Sequence, residues 1–250
     1  MRDFQSSTIW RVSTFSAELD SPDHGTLPGG LSSDLMSGTL LGALRRLQSD
    51  PAETDLLAAV CVCVRQRQSV LLLLEHGPWV WPVSLFPTAG LYYSAHDVAD
   101  LQALAPLSSL QLIGAVRPSV RDPALGLPPE LDTRSRYRPL PALLCSLALH
   151  GPRATLLTEI SGRAAYRLAA RSDNMPALPG ALSPVVQRLR GEVASLKDIA
   201  GWPGMSVDRA SRLLNALYLT SNVMVTRSHP SARHEPSPRD LRLPNGGGRR

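Results

Sequence analysis

The stretch GALSPVVQRLRGEVASLKDIAGWPGMSVDRASRLLNALYLTSNVMVTRS, Gly180 to Ser228, decides the fold. It predicts a helix over Ala181–Glu192, then Ser195-Leu196-Lys197-Asp198-Ile199-Ala200, a turn through Gly201–Ser206, a long amphipathic helix over Val207–Tyr218 and a short apolar strand over Val223–Arg227. Leu196, Ile199 and Ala200 stand at helical spacing and can face one core. Gly204 suits a tight corner between two helices, because glycine accepts positive φ without strain. Ser206 is placed to cap the next helix, with Asp208 favourable in its first turn. Ala210, Leu213, Leu214 and Leu217 form one apolar face of that helix, and Arg209, Arg212 and Asn215 fall on the other.

Helix, short helix, glycine corner, long helix and apolar strand follow one another as they do in a winged helix-turn-helix. The expected class is therefore α+β: a small N-terminal mixed or antiparallel sheet with helices, followed by a C-terminal winged helix. The segment Ser195–Arg227 resembles the helix-turn-helix and wing of MarR- and IclR-type bacterial regulators, about one eighth of the chain. That resemblance implies a winged helix. In a DNA-binding version Ser206, Arg209, Arg212 and Asn215 would meet the groove and Arg227 would lie at the wing's edge. Trp202-Pro203 adds bulk to the loop, and the wing holds few basic residues. The competing reading is a winged helix that packs or binds protein, since fold does not fix function.

Charge is divided unevenly. The chain has 26 Lys and Arg against 21 Asp and Glu, and Lys197 is its only lysine. Residues 1–179 hold 15 arginines and 16 carboxylates, whereas residues 180–250 hold 11 basic and 5 acidic residues. A basic segment beside a helix-turn-helix suits a polyanion. Five of those eleven (Arg233, Arg239, Arg242, Arg249, Arg250) lie in the tail, which leaves 181–229 with 6 basic and 3 acidic residues. Such a balance permits DNA without requiring it.

Chemistry-bearing motifs are missing. There is no phosphate loop, dinucleotide fingerprint, H-E-x-x-H or nucleophile elbow. His76 and His96 have no acid or nucleophile placed to complete a triad, so the reading is of surface histidines in turns. Cys61, Cys63 and Cys145 make neither a disulfide framework nor a metal set; buried free thiols in a reducing cytosol are expected. Apolar runs near Val70–Leu74 and Leu140–Leu149 are too short to span a bilayer, and the N-terminus lacks the long apolar core of a signal peptide. The expectation is a cytoplasmic protein with no catalytic residues, no metal and no cofactor.

Taken in order, residues 1–34 read as a flexible N-terminal segment, with a short strand at Ile9–Val12 and a linker from Asp20 to Gly30. Residues 35–117 read as an αβ module. It opens with a helix over Ser33–Gln48 and a buried strand over Leu56–Arg65. Strands at Val70–Glu75, Trp79–Pro87 and Leu91–Ser94, a helix at Ala99–Ala105 and a strand at Leu110–Val116 follow. Pro82 marks an edge or bulge. Residues 118–139 form a Pro-rich linker and the best boundary. Residues 140–229 form a helical region whose winged-helix core is 181–229, with helices at Pro141–His150 and Thr155–Ile160, a strand at Ala165–Ala169 and a linker at Met175–Pro184. The tail, 230–250, is basic and too poor in apolar residues to fold.

Trp79, Trp81, Phe86, Tyr92 and Tyr93 gather most of the aromatics into one segment. They are candidates for a partner surface or, alternatively, the core and rim of a small sheet. SVLLLLEHGPWVWPVSLFPTAGLYYS and LPALLCSLALHG (Ser69–Ser94 and Leu140–Gly151) also resemble bacterial proteins with a PatA N-terminal-type regulatory domain. That resemblance implies an adaptor for a response-regulator or small-GTPase switch. Two readings stand: a non-catalytic signalling adaptor that binds a protein partner, and a DNA-binding regulator with the αβ module as sensor or homodimeriser.

Overall fold

The computed structural model describes residues 9–13, 42, 55–118, 120–126, 136–169, 178, 180 and 182–233. Within them the run expected as a buried strand is a helix, α1 (Leu56–Gln66). Asp55 caps it, its carboxylate accepting from the backbone N–H groups of Leu57 and Ala58. At the other end Arg67, at φ 51°, donates its N–H to Cys63 and Val64. Val60, Val62 and Val64 favour a strand, yet eleven residues with a carboxylate at the start suit a helix better, and length decides between the two. Cys61 and Cys63 thus lie on a helix and are both buried.

The fold is α+β, with six helices and two antiparallel sheets among the described residues. In the larger sheet β2 (Val70–His76) and β3 (Trp79–Phe86) form a hairpin across Gly77, at φ +60°. The order is β5-β2-β3-β4-β6, with β4 at Leu91–Tyr93, β5 at Gln111–Val116 and β6 at Tyr137–Pro139; helix α2 (Val98–Leu104) precedes β5. β1 (Trp10–Arg11) pairs with the start of β3, and β4 with its end. Pro82 falls between these two partners, where β3 has a local edge that tolerates a missing N–H. β6 corrects the expectation of loop throughout 117–139.

Val70, Leu72, Leu74, Trp81 and Val83 face the main core, while Leu71, Leu73, Val80 and Val116 pack with Trp10 on the opposite side. Burial on both faces explains why Val70–Leu74 reads as an unbroken apolar run.

Helix α3 (Leu140–His150) follows β6 directly. Then come β7 (Ala165–Leu168), α4 (Leu182–Gly191), β8 (Ala194–Ser195), α5 (Leu196–Ala200), α6 (Val207–Leu219) and β9 (Val223–Thr226). The smaller sheet has the order β8-β7-β9, so its middle strand precedes α4 in the chain. Between α5 and α6, Gly204 takes φ +75°, and the Ser206 side chain accepts from the Arg209 N–H. The helix expected over Thr155–Ile160 is instead an irregular connection ending in a turn. One apolar cluster runs from Leu56 to Leu219 and holds residues of both sheets.

Of the helix expected over Ser33–Gln48 only Gly42, which is helical, is described. The Asp20–Gly30 linker, half of Met175–Pro184 and the tail beyond 233 lie outside the described residues, and the end of the second of these, from Leu182, already belongs to α4. No helix among the described residues is long and apolar enough to cross a membrane.

Candidate functional site

Helix α6 carries most of the residues that sequence places against DNA. Its amphipathic pattern predicts one buried face, but the structure buries it nearly all round. Ala210, Ser211, Leu213–Leu217 and Leu219 are buried, and only the first turn is open. Helix α3 packs along α6, and the chain from Leu149 to Leu157 lies against Arg212 and Asn215.

Asn215 shows the effect most plainly. It is 0% exposed, its Oδ1 accepting from the Leu157 N–H at 2.9 Å and its Nδ2 donating to the Thr155 carbonyl at 2.9 Å. Arg212 is half-buried and donates from Nη1 to the Gly151 carbonyl at 2.7 Å and to Leu149 at 3.3 Å, at the C-terminal end of α3. Arg227 is exposed, yet it donates to the carbonyls of Ser161 and Glu159 at 3.0 and 3.2 Å. Three of the five candidates therefore hold one connection, residues 149–161. The outward placement expected for Arg212 and Asn215 is corrected: a buried amide must find partners, and the irregular backbone of the connection supplies them. Ser206 and Arg209 stay at the exposed first turn, where Ser206 is the helix cap and Arg209 donates to the Gly204 carbonyl.

Sequence reasoning passed over Arg153, which completes this clamp. It donates to the Asp55 carboxylate and to the carbonyls of Thr155 and Leu156, so the cap of α1 and the 149–161 connection share one guanidinium. A lone arginine in a polar stretch gives no signal of this. Its partners lie about a hundred residues away or on the backbone.

The aromatic cluster resolves in a similar way. Trp81, Phe86, Tyr92 and Tyr93 are buried, so they build the interior rather than an open surface. Trp81 donates to Ser94 Oγ at 2.6 Å, and Tyr92 donates to Asp97 at 3.3 Å. Tyr93 and Phe86 meet Tyr137 at ring separations of 5.0 and 6.0 Å. Burial, with the Asp97 charge, pushes the Tyr92 hydroxyl well above its ordinary range. Trp79 alone of the five is half-exposed, with the Arg11 guanidinium 5.6 Å from its ring. His76 is also corrected: it is buried at the end of β2, 3.1 Å from the Ala105 carbonyl, while His96 is exposed.

Cys61 is the group most open to a chemical reading. Its Sγ lies 3.7 Å from Glu159 Oε1, and Arg65 reaches the same oxygen at 3.4 Å. Burial, and then the Glu159 charge, push this thiol up to about 12. A thiol held neutral is a poor nucleophile and a poor ligand. Cys63 and Cys145 are likewise raised to about 12 by burial. No group of three or more His, Cys, Asp or Glu among the described residues is arranged to hold a metal ion.

Among the described residues the large apolar side chains that stay exposed are Leu104, Leu125, Val207 and Met224. Comparison with family models, curated proteins and solved structures gives no match for this chain.

Proposed function

We propose that this protein is a non-catalytic signalling adaptor of the bacterial cytoplasm that binds a protein partner of the response-regulator or small-GTPase type. One observation carries the reading: α3 covers α6, and the chain's own carbonyls occupy Arg212 and Asn215. A helix packed in this way offers a groove only its first turn. The raised thiols and the lack of a nucleophile–base pair among the groups described above argue in the same direction, away from catalysis. The likeness of Ser69–Ser94 and Leu140–Gly151 to PatA N-terminal-type domains supplies the class of partner.

The winged-helix DNA regulator is retained as the second reading. What favours it is the open first turn of α6, with Ser206 and Arg209, since recognition helices touch base edges with their N-terminal residues. Fluorescence anisotropy on duplex DNA across a salt series separates the two. The adaptor reading expects weak binding whose salt slope is the same for the native chain and Arg209→Ala. Loss of log K with log salt that flattens by about one unit in Arg209→Ala would overturn it in favour of DNA. Calorimetric titration with the switch proteins encoded beside this chain completes the test. The expected result is binding that depends on their phosphorylation or nucleotide state, and absence of binding to all of them would count against the adaptor.

A further inference from the structure

The second face of the larger sheet, away from α1, is more deeply buried than its described neighbours explain. Leu71, Leu73 and Val80 are 0% exposed, and Val116 and Ser84 1%. Among the described residues only Trp10, Val12 and Ile113 pack with this apolar cluster, which is separate from the main core. Trp10 is in register with Val80. Ser84, in register with Leu71, stands four residues further on, about 14 Å along the strand and beyond the reach of an indole. Side chains on one face of a sheet stand beside each other and do not roof one another. A second layer must therefore lie over Leu71, Ser84 and Val116.

The course of the chain says which residues form it. The chain passes Val12 on this face and is next described at Gly42, which is helical, and then at Asp55. A Cβ placed on Gly42 would meet nothing within 4 Å among the described residues, the strands of both sheets included, so this side of its helix is turned from the sheet. At about 100° per residue, Met36, Leu40, Leu44 and Leu47 fall within about 60° of the opposite side, and Arg45 and Arg46 within about 60° of Gly42. The side turned from the sheet is thus the charged one. Eight residues separate Leu47 from Asp55 and extend to about 26–29 Å. That length passes round a sheet edge to α1, between layers about 10 Å to either side of the strands.

We propose that the second face of the larger sheet is an internal docking surface whose occupant is the Met36–Leu47 segment, seated through Met36, Leu40, Leu44 and Leu47. It forms a layer with a core of its own, and this face takes no outside partner. The inference stands apart from the adaptor reading, whose test uses the switch proteins.

Ser84→Cys in the full chain is the probe, a near-isosteric change at a hydroxyl without a hydrogen-bond partner. The chain is treated with a maleimide, and the rate at each thiol is read by peptide mass spectrometry. Cys61, Cys63 and Cys145 lie in the main core and serve as the internal standard. Position 84 is expected to react slowly, as these three do, at a rate independent of protein concentration. Leu40→Asp combined with Leu44→Asp should speed position 84 about a hundredfold, and Leu40→Ala alone about tenfold, while the native thiols stay slow. Arg45→Asp, on the side of Gly42, should leave the rate as it was. Four results would each overturn the proposal: fast labelling of position 84 without further substitution, protection that dilution removes (a second copy as occupant), protection that neither leucine variant weakens (another occupant), or acceleration of all four thiols together in both.

Discussion

Asn215 is one amide doing the work of two backbone partners. It satisfies an N–H and a carbonyl of a connection that has no secondary structure of its own, inside a helix that must stay packed on α3. Asn215→Ala leaves the Leu157 N–H buried and unpaired, while the Thr155 carbonyl keeps Arg153 as a donor, so a loss of about 1–3 kcal/mol is expected in urea unfolding. A loss under about 1 kcal/mol would mean that water reaches the connection. The cysteines make a second prediction at this scale. Unfolded thiols deprotonate near 9, whereas burial holds Cys61, Cys63 and Cys145 protonated up to about 12. The unfolded chain therefore sheds these protons first. The stability they confer is whole below pH 9 and declines as pH rises from 9 toward 12, by about 1.4 kcal/mol per unit for each thiol. Tyr92 shifts in the same direction, so the readout is the difference from a triple Cys→Ala variant, whose unfolding midpoint should fall less steeply over that range.

Among the elements, those with local signals were the easiest to read. The β2–β3 hairpin follows from two apolar runs around Gly77-Pro78, and the α5–α6 corner from Gly204 and the Ser206 cap. Helix α1 was misread because its local evidence is divided: β-branched residues and continuous hydrophobicity favour a strand, while Asp55 and the length favour a helix. Length and the Asp55 cap decide for the helix, whose buried residues join the main core. β6 was missed because Tyr137-Arg138-Pro139 is too short to show a period and exists by pairing with Leu91–Tyr93. The outward face assigned to Arg212 and Asn215 failed for another reason. Polar residues at helical spacing read as solvent-facing, and nothing local announces that a second helix and an irregular segment will come to lie against them. Two of the five candidate DNA residues, Arg212 and Asn215, and four of the five candidate aromatics turn inward.

At the level of the whole molecule, the two sheets share one apolar cluster across the proline-rich stretch, and Arg153 joins the cap of α1 to the connection that α6 holds. The segment 181–229, which sequence singles out as a winged-helix core, lacks β7, the strand that both β8 and β9 need as a neighbour. Cut out alone, 181–229 should therefore be largely unfolded by circular dichroism and show collapsed amide dispersion in NMR, whereas a fragment from 55 to 233 should fold. A well-dispersed spectrum from the short piece would show that α4, α5 and α6 suffice by themselves. The same ordering has a bearing on biosynthesis. During translation β7 emerges before both of its neighbours and stays bare on one side until Val223–Thr226 has left the ribosome. A nascent chain stalled before Val223 would expose Tyr166 and Leu168 to chaperones or proteases, so cells should clear incomplete copies quickly and accumulate only finished ones.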